Sequence, residues 1–311
     1  MRLSKKNDFY LKKRNKKVKV CLNCIYDEDV DQITFDEFQK CNYCYQTERL
    51  KDEYGTGRKK GEILIKQIFD DIKKAGEGKK YDCVVGVSGG TDSSYLIYLT
   101  KKVGLKPLAV HYDNTWNTEI ATMNIKKVLN KLNVDLYTKV INNKEMDDIY
   151  KSFFFAGVAE IDSATDLGYA TALYQAAEKY KVKYILEGHS FVAEGITPIG
   201  KNYFDGRYIK SIHKIFGKKK MSSYPLMSIQ KFLYWTLVKR IRKIRPFWYI
   251  NYSKEDAQSF LSKEFGWKNY GGHHLENKMT KFLHTVYAPE KFNSDFRNNT
   301  LSALVRNKKI S

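Results

Sequence analysis

From Cys83 to Val87 the chain is an uninterrupted short apolar run, C-V-V-G-V. It passes directly into Ser88-Gly89-Gly90-Thr91-Asp92-Ser93-Ser94 and then into a helix-forming stretch that ends at Lys102. A buried strand that turns through two glycines into a helix leaves few options. The helix must fold back over the sheet, and its unpaired amide groups and positive dipole end converge on the turn. The following elements repeat the alternation. Leu108 to Tyr112 reads as a strand, and Trp116 to Leu132 as a helix with Ala121, Ile125, Val128 and Leu132 on one face. Val134 to Val140 reads as a strand. A helix around Leu167, Ala170, Tyr174 and Ala177 and a strand from Tyr184 to Leu186 follow. This order predicts an α/β fold, a doubly wound parallel sheet with right-handed crossovers. Ligands of such sheets bind outside the carboxyl ends of the strands. The turn itself fits neither G-x-x-x-x-G-K-[ST] nor G-x-G-x-x-G. Its glycines, hydroxyls and helix end nevertheless suit an anion.

Four of the five cysteines form two C-x-x-C pairs, Cys21 with Cys24 and Cys41 with Cys44, sixteen residues apart. The intervening segment is polar and too small to hold itself together. The spacing predicts a small zinc ribbon with one tetrahedral four-thiolate site. Four thiolates leave no open coordination position, so the metal has a structural role. Two disulfides are the alternative, which a reducing compartment disfavours. Cys83 lies in the predicted strand and reads as a small buried hydrophobe.

Lys and Arg outnumber Asp and Glu by 55 to 35 in 311 residues, a net charge of +20 that points to polyanionic partners. The first twenty residues carry nine Lys or Arg without a continuous apolar core, unlike a secretory signal. No apolar run reaches membrane-spanning length, and the expected location is cytoplasmic. Three regions are expected. Residues 1–60 form a basic arm and the four-cysteine module, 61–215 the α/β domain, and 216–311 a mostly helical basic region. Within Lys210 to Arg245 there are eleven Lys or Arg and no acid. This stretch reads as a solvated helix, as an electrostatic guide for a nucleotide-linked substrate or an acidic membrane surface (a weak association), or as an RNA-binding face.

The string from Ser88 to Ser94 resembles the S-G-G-x-D-S loop of the PP-loop ATP pyrophosphatases, which are adenine nucleotide α-hydrolase-like. The resemblance implies ATP cleaved between its α and β phosphates, with pyrophosphate held by Ser88, Gly89, Gly90, Asp92, Ser93 and Ser94. Asp92 would act through Mg²⁺ or through loop hydrogen bonds. His111-Tyr112-Asp113-Asn114 stands where relatives hold the adenosine, which implicates His111 and Asp113. Glu187-Gly188-His189 stands where they close over the nucleotide, which implicates Gly188 and His189. As residues alone, His111 and Asp113 read equally as a strand-end cap.

Gly271-Gly272-His273-His274-Leu275-Glu276-Asn277-Lys278-Met279-Thr280-Lys281-Phe282 resembles the G-G-K-H-x-E-S-x-x-T-x-F signature of the N-acetyl sugar amidotransferases of lipopolysaccharide and O-antigen biosynthesis. Asp295-Phe296-Arg297 is similar to their D-K-R, and Asp166, the segment from Asp205 to Gly217 and the four-cysteine module also match. His273, Asn277 and Phe296 depart from the pattern. Relatives continue for several helices beyond Ser302-Ala303-Leu304, so a short or truncated member is expected.

The resemblance implies that ATP adenylates the acetamido oxygen of a nucleotide-linked or nonulosonic N-acetyl sugar, and that ammonia then displaces AMP to leave an acetamidino group. His274 and Glu276 are the residues placed to handle the protons that ammonia must lose. The chain opens Met-Arg, and Cys83 is in a strand, so no nucleophile for glutamine hydrolysis is evident. A glutaminase subunit, with a cyclase-like companion, is therefore implied as the ammonia source. DNA is not among the expected partners. The rival reading is a tRNA-modifying PP-loop enzyme of lysidine synthetase or thiolase type. Thiolation is disfavoured because only Cys83 remains outside the metal set. A nucleotide-sensing module without turnover is a third class.

Overall fold

In the computed structural model, which describes residues 18–196, 205–272 and 274–310, five parallel strands form one sheet in the order β3-β2-β1-β4-β5. These are β1 (Cys83–Gly86), β2 (Pro107–Asp113), β3 (Leu136–Val140), β4 (Tyr184–Leu186) and β5 (Arg242–Ile244). The basic arm before Val18 and His273 lie outside the described residues. The chain divides into two compact units. One comprises Tyr54–Ser190 and Lys201–Asp295; the other comprises Met1–Glu53, Phe191–Gly200 and Phe296–Ser311.

The larger unit is the α/β fold read from the sequence. β1 is buried at all four positions and β2 at all but Asp113, as expected of strands covered on both faces. Helix α2 (Lys59–Ala75) precedes the sheet, and α3 (Thr91–Lys102) follows β1 with boundaries that match the apolar pattern. Between β2 and β3 runs α4 (Glu119–Leu132), capped by the Thr118 hydroxyl. Two helices join β3 to β4: α5 (Asn143–Ala156) and α6 (Ser163–Lys179). Eleven residues of α6 are buried, Ala170, Ala172, Ala176 and Ala177 among them, and it packs on β1, β2 and β4. A helix buried on nearly every side has no amphipathic stripe to read. Two glycines let large phenols into this contact. A Cβ on Gly168 would lie 2.3 Å from the Tyr112 hydroxyl oxygen, and one on Gly86 would lie 1.8 Å from that of Tyr169.

The basic stretch divides. α7 (Gly206–Phe216) packs on α5, and α8 (Ile229–Leu233) runs on through a π-helical turn, Tyr234–Val238. Trp235 is fully buried, stacked on Tyr174 at 5.3 Å and donating to Glu178 at 2.8 Å, while Leu237 and Val238 face outward. The chain then enters β5, whose short R-K-I sequence lacks the apolar run of a covered strand and sits at the sheet edge. After β5 come α9 (Lys254–Phe265), α10 (Lys278–Phe282), a π-helical turn Leu283–Tyr287 and α11 (Ala288–Phe292).

The smaller unit contains α1, whose helix spans Asn42–Tyr54, and α12 (Arg297–Arg306). The segment between the cysteine pairs returns through turns with two isolated antiparallel bridges, Val20 to Asp27 and Phe35 to Cys41. Cys44 lies in the first turn of α1, so the second pair opens into a helix rather than a hairpin arm.

Candidate functional site

Strand order fixes where a ligand can enter. Successive crossovers carry β1 to β2 to β3 in one direction, and β4 then pairs on the other side of β1. The reversal opens a crevice between the carboxyl ends of β1 and β4, the topological switch point of a doubly wound sheet. The Ser88–Ser94 turn leaves β1 there, and Glu187-Gly188-His189 leaves β4 there.

Gly89 has φ +82°, and a Cβ on it would come within 2.2 Å of the Ala121 carbonyl oxygen, so only glycine fits. Its carbonyl accepts from the Trp267 indole at 3.0 Å and from the Asn124 amide at 3.3 Å. The Ser88 hydroxyl lies 3.2 Å from the Gly90 amide, and the Ser93 hydroxyl 3.3 Å from the Ser88 amide. These two serines brace the loop from within. Ser94 is buried in the first turn. Gly90, the N-cap of α3, provides no side-chain cap, and the Tyr270 hydroxyl instead meets the Thr91 amide at this helix end. Gly188 presses on the same turn: a Cβ on it would stand 2.9 Å from the carbonyl carbon of Asp92.

Asp92 is held by two residues that no motif flagged. Lys254 Nζ is 2.9 Å from one carboxylate oxygen, and the Tyr252 hydroxyl donates to the other at 2.5 Å. The Tyr252 ring stacks on Phe247 at 4.0 Å. The carboxylate is therefore a brace between α3 and the segment that leads into α9.

The segment Gly271–Phe282 enters the phosphate loop. The Ser88 hydroxyl donates to Glu276 Oε1 at 3.1 Å, and the Glu276 carbonyl accepts from the Thr118 amide at 2.8 Å. Glu276 is buried, and among the described residues its Oε2 has no hydrogen-bond partner. Burial raises its pKa, but His274 and hydrogen bonds from Ser88 and its own amide outweigh this and hold the carboxyl below its ordinary value. His274 Nδ1 stands 3.9 Å from Glu276 Oε1, on a half-exposed side chain with φ +58°. Asn277 caps α10, accepting from the Met279 amide at 2.9 Å, a function Ser and Asn share. Thr280 donates to Asp162, which also accepts from the Tyr150 hydroxyl at 2.8 Å.

His111 and Asp113 are joined through Asn117, whose side-chain amide lies 3.4 Å from His111 Nε2 and 3.3 Å from Asp113 Oδ1. His111 Nδ1 is 2.9 Å from the Val87 carbonyl oxygen, and burial lowers its pKa. Asp113 also accepts from the Thr115 amide, so it serves the turn after β2. Asn117 bridges to Asn277, which links this group to the Glu276 segment. His189 Nδ1 accepts from the Trp248 indole at 3.1 Å, and burial with nearby Arg245 pushes its pKa down to about 4. Glu187 is paired with Lys243 at 2.8 Å and Arg245 at 3.3 Å, both delivered by the end of the basic stretch. Burial, with Asp166 and Asp162 nearby, pushes Glu160 up to about 8, and burial with His274 pushes His284 down to about 4.

In the smaller unit the four sulfurs of Cys21, Cys24, Cys41 and Cys44 are buried and lie within 4.8 Å of one another. Neighbouring sulfurs are 3.8, 3.7 and 3.6 Å apart. A tetrahedron with metal–sulfur bonds of about 2.3 Å has an edge of about 3.8 Å, so one zinc ion fits. A four-iron cluster needs its thiolates on separate irons and thus farther apart. The sulfurs are unbonded to one another, which sets disulfides aside. Cys44 is held far below the ordinary thiol value by hydrogen bonds from Cys24 and Cys41, with Arg306 adding to the effect. Cys83 is fully buried in β1, and burial pushes its thiol up.

No family model matches the chain. An uncharacterised protein of Methanocaldococcus jannaschii is 27% identical over 168 residues, which take in 48% of this chain and 58% of that protein's length. Among solved structures, a U34-tRNA thiolase from Methanococcus maripaludis with its [4Fe-4S] cluster is 16% identical over 75% of this chain and 77% of that one, at a TM-score of 0.34. An NH3-dependent NAD synthetase from Campylobacter jejuni is 12% identical over 80% of this chain and 97% of that one, also at 0.34. Likenesses this loose add nothing to the architecture read from the sheet. Among the described residues no helix is long and apolar enough to cross a membrane.

Proposed function

We propose that this chain is an ATP-dependent amidotransferase. It would bind ATP in the crevice between β1 and β4, with the β and γ phosphates at the Gly89–Gly90 turn and the end of α3. The acetamido oxygen of an N-acetyl sugar, nucleotide-linked or nonulosonic, attacks the α phosphorus and expels pyrophosphate. Ammonia then adds to the adenylated imidate carbon, loses a proton, and AMP departs with the former amide oxygen. The product is an acetamidino sugar, as lipopolysaccharide, O-antigen or related surface-glycan synthesis requires.

The observation that carries this reading is the contact of Ser88 with Glu276. It brings the segment that resembles the sugar amidotransferases onto the turn that resembles a pyrophosphate loop. The unpartnered Glu276 Oε2 is the acceptor offered to the incoming ammonia, with His274 beside it. Mg²⁺ would accompany the phosphates, and Glu276 and Asp92 are the carboxylates at the turn. Lys243 and Arg245, at the end of the basic stretch, suit an anionic sugar nucleotide. The zinc module is structural, and a glutaminase subunit supplies the ammonia.

Purified protein given ATP, Mg²⁺ and an ammonium salt needs no glutaminase. A panel of nucleotide-linked N-acetyl sugar acids and nonulosonic acids is offered beside bulk tRNA, and AMP and pyrophosphate are followed. Release that depends on a sugar supports the proposal. Release that depends on tRNA alone transfers the protein to RNA modification.

A further inference from the structure

The smaller unit has a feature that the metal ligands alone do not explain. Arg306, at the end of α12, is buried at 8% exposure, although arginine is seldom buried without an anionic partner. Its Nε lies 3.3 Å from Cys44 Sγ, and its guanidinium carbon is 5.4 Å from the centre of the Tyr26 ring. Among the described residues Nη1 and Nη2 are buried without a hydrogen-bond partner of good geometry, and Cys24 joins Cys44 in favouring the charged guanidinium. A buried cation in this position is costly unless negative charge faces it. Four thiolates around one divalent ion carry a net double negative charge, which supplies it.

We infer that Arg306 is a positioning residue of the metal centre: its guanidinium offsets the charge of the four-thiolate site, so that metal loading and the docking of α12 are coupled. The rest of the contact follows the same logic. The Tyr26 hydroxyl donates to Asn299 of α12 and lies 3.1 Å from the Ile196 carbonyl oxygen, and the Tyr26 ring packs edge-on against Tyr43. Asn307, just past α12, donates to the Val192 carbonyl at 3.0 Å and accepts from Lys51 of α1. Gly195 meets α12 so closely that a Cβ on it would lie 2.6 Å from the Asn299 carbonyl oxygen. Three distant stretches of chain thus meet at one charge centre. Without metal the four sulfurs are no longer held together, and the loops that carry Tyr26 and Cys44 lose the anchor on which Arg306 and α12 pack.

The coupling runs both ways, and each direction has its own measurement on the full chain. Hydrogen exchange of the wild-type protein, before and after zinc removal by a chelator, is expected to show lost protection in Arg297–Arg306. Amides of β1 and β4 should keep theirs. Unchanged protection of α12 after verified zinc loss would overturn the inference. In the other direction, Arg306→Met keeps the side chain's length and removes its charge. Chelator competition should show zinc held about 10-fold or more weakly, the size seen for outer-shell partners of metal ligands. Arg306→Lys should recover part of that. With cobalt in place of zinc, the sulfur-to-cobalt charge-transfer band should shift in Arg306→Met, which a merely structural side chain would not cause. Equal zinc affinity and an unmoved band in a folded Arg306→Met protein would also refute it.

Discussion

The hydroxyl of Ser88 donates to the carboxylate of Glu276 across 188 positions of sequence, at 3.1 Å. One residue opens the turn after the central strand, and the other comes from a loop that precedes a five-residue helix. A carboxylate beside an anion cradle repels the phosphates it adjoins unless it has a cation or a proton to manage. That is the physical reason for assigning Glu276 to the chemistry rather than to the scaffold.

Glu276→Gln retains the Ser88 contact and removes the negative charge at Oε2. Turnover with ammonium should fall by roughly 100-fold or more, the usual scale for a proton-handling group, while ATP binding persists. Steady-state pyrophosphate release and nucleotide titration separate the two effects. Equal loss of both would make Glu276 a nucleotide-binding residue instead.

Gly89→Ala places a methyl group 2.2 Å from the Ala121 carbonyl oxygen at φ +82°. The turn must shift, at roughly 2 kcal/mol or more. Thermal unfolding should show this cost, and isothermal titration should show lost ATP binding.

Asp92→Asn removes the charge with which Lys254 pairs at 2.9 Å. Both side chains are largely buried, at 15% and 17% exposure, so the cost should be roughly 1–3 kcal/mol. Tyr252→Phe removes the neutral half of the same brace and should cost less. Denaturant titration ranks the two, and the opposite order would contradict the assignment of Lys254 as the main partner.

Glu160 gives a pH signature. Its pKa rises from 4.5 to about 8 in the folded protein, so between those values the native state binds a proton that the unfolded chain has released. Its contribution to stability is complete below about pH 4.5 and is lost as pH rises through about 8. Glu160→Gln removes the dependence. Its thermal midpoint should exceed that of the wild type by a margin that grows from pH 5 to pH 8. His189 and His284, both pushed down to about 4, act with the opposite slope: their contribution is present above 6.5 and is lost as pH falls toward 4.

Much of this arrangement is legible in the sequence, for identifiable reasons. Cys83–Gly86, Thr91–Lys102 and Tyr184–Leu186 announce themselves because covered strands are continuously apolar and a two-glycine turn joins strand to helix. β5 escapes because Lys243 within it and Arg245 just after it pair with Glu187 at the sheet edge, and in sequence these cations look like part of a basic helix. α5 escapes because its buried face includes Glu145 and Asp148, satisfied by the amides of Ser223, Tyr224, Lys218 and Lys219. The clasp of Lys254 and Tyr252 on Asp92, and of Arg306 on Cys44, joins residues more than 150 positions apart. No local pattern records such pairings.

The most direct test of the central claim follows one oxygen atom. An N-acetyl sugar acceptor identified by pyrophosphate release is prepared with oxygen-18 in its acetamido group and turned over with ATP, Mg²⁺ and ammonium. The account predicts that the label appears in the phosphate of AMP, one atom per amidine formed, while the acceptor exchanges that oxygen for NH. Label retained in the acceptor, or AMP carrying only solvent oxygen, would contradict it.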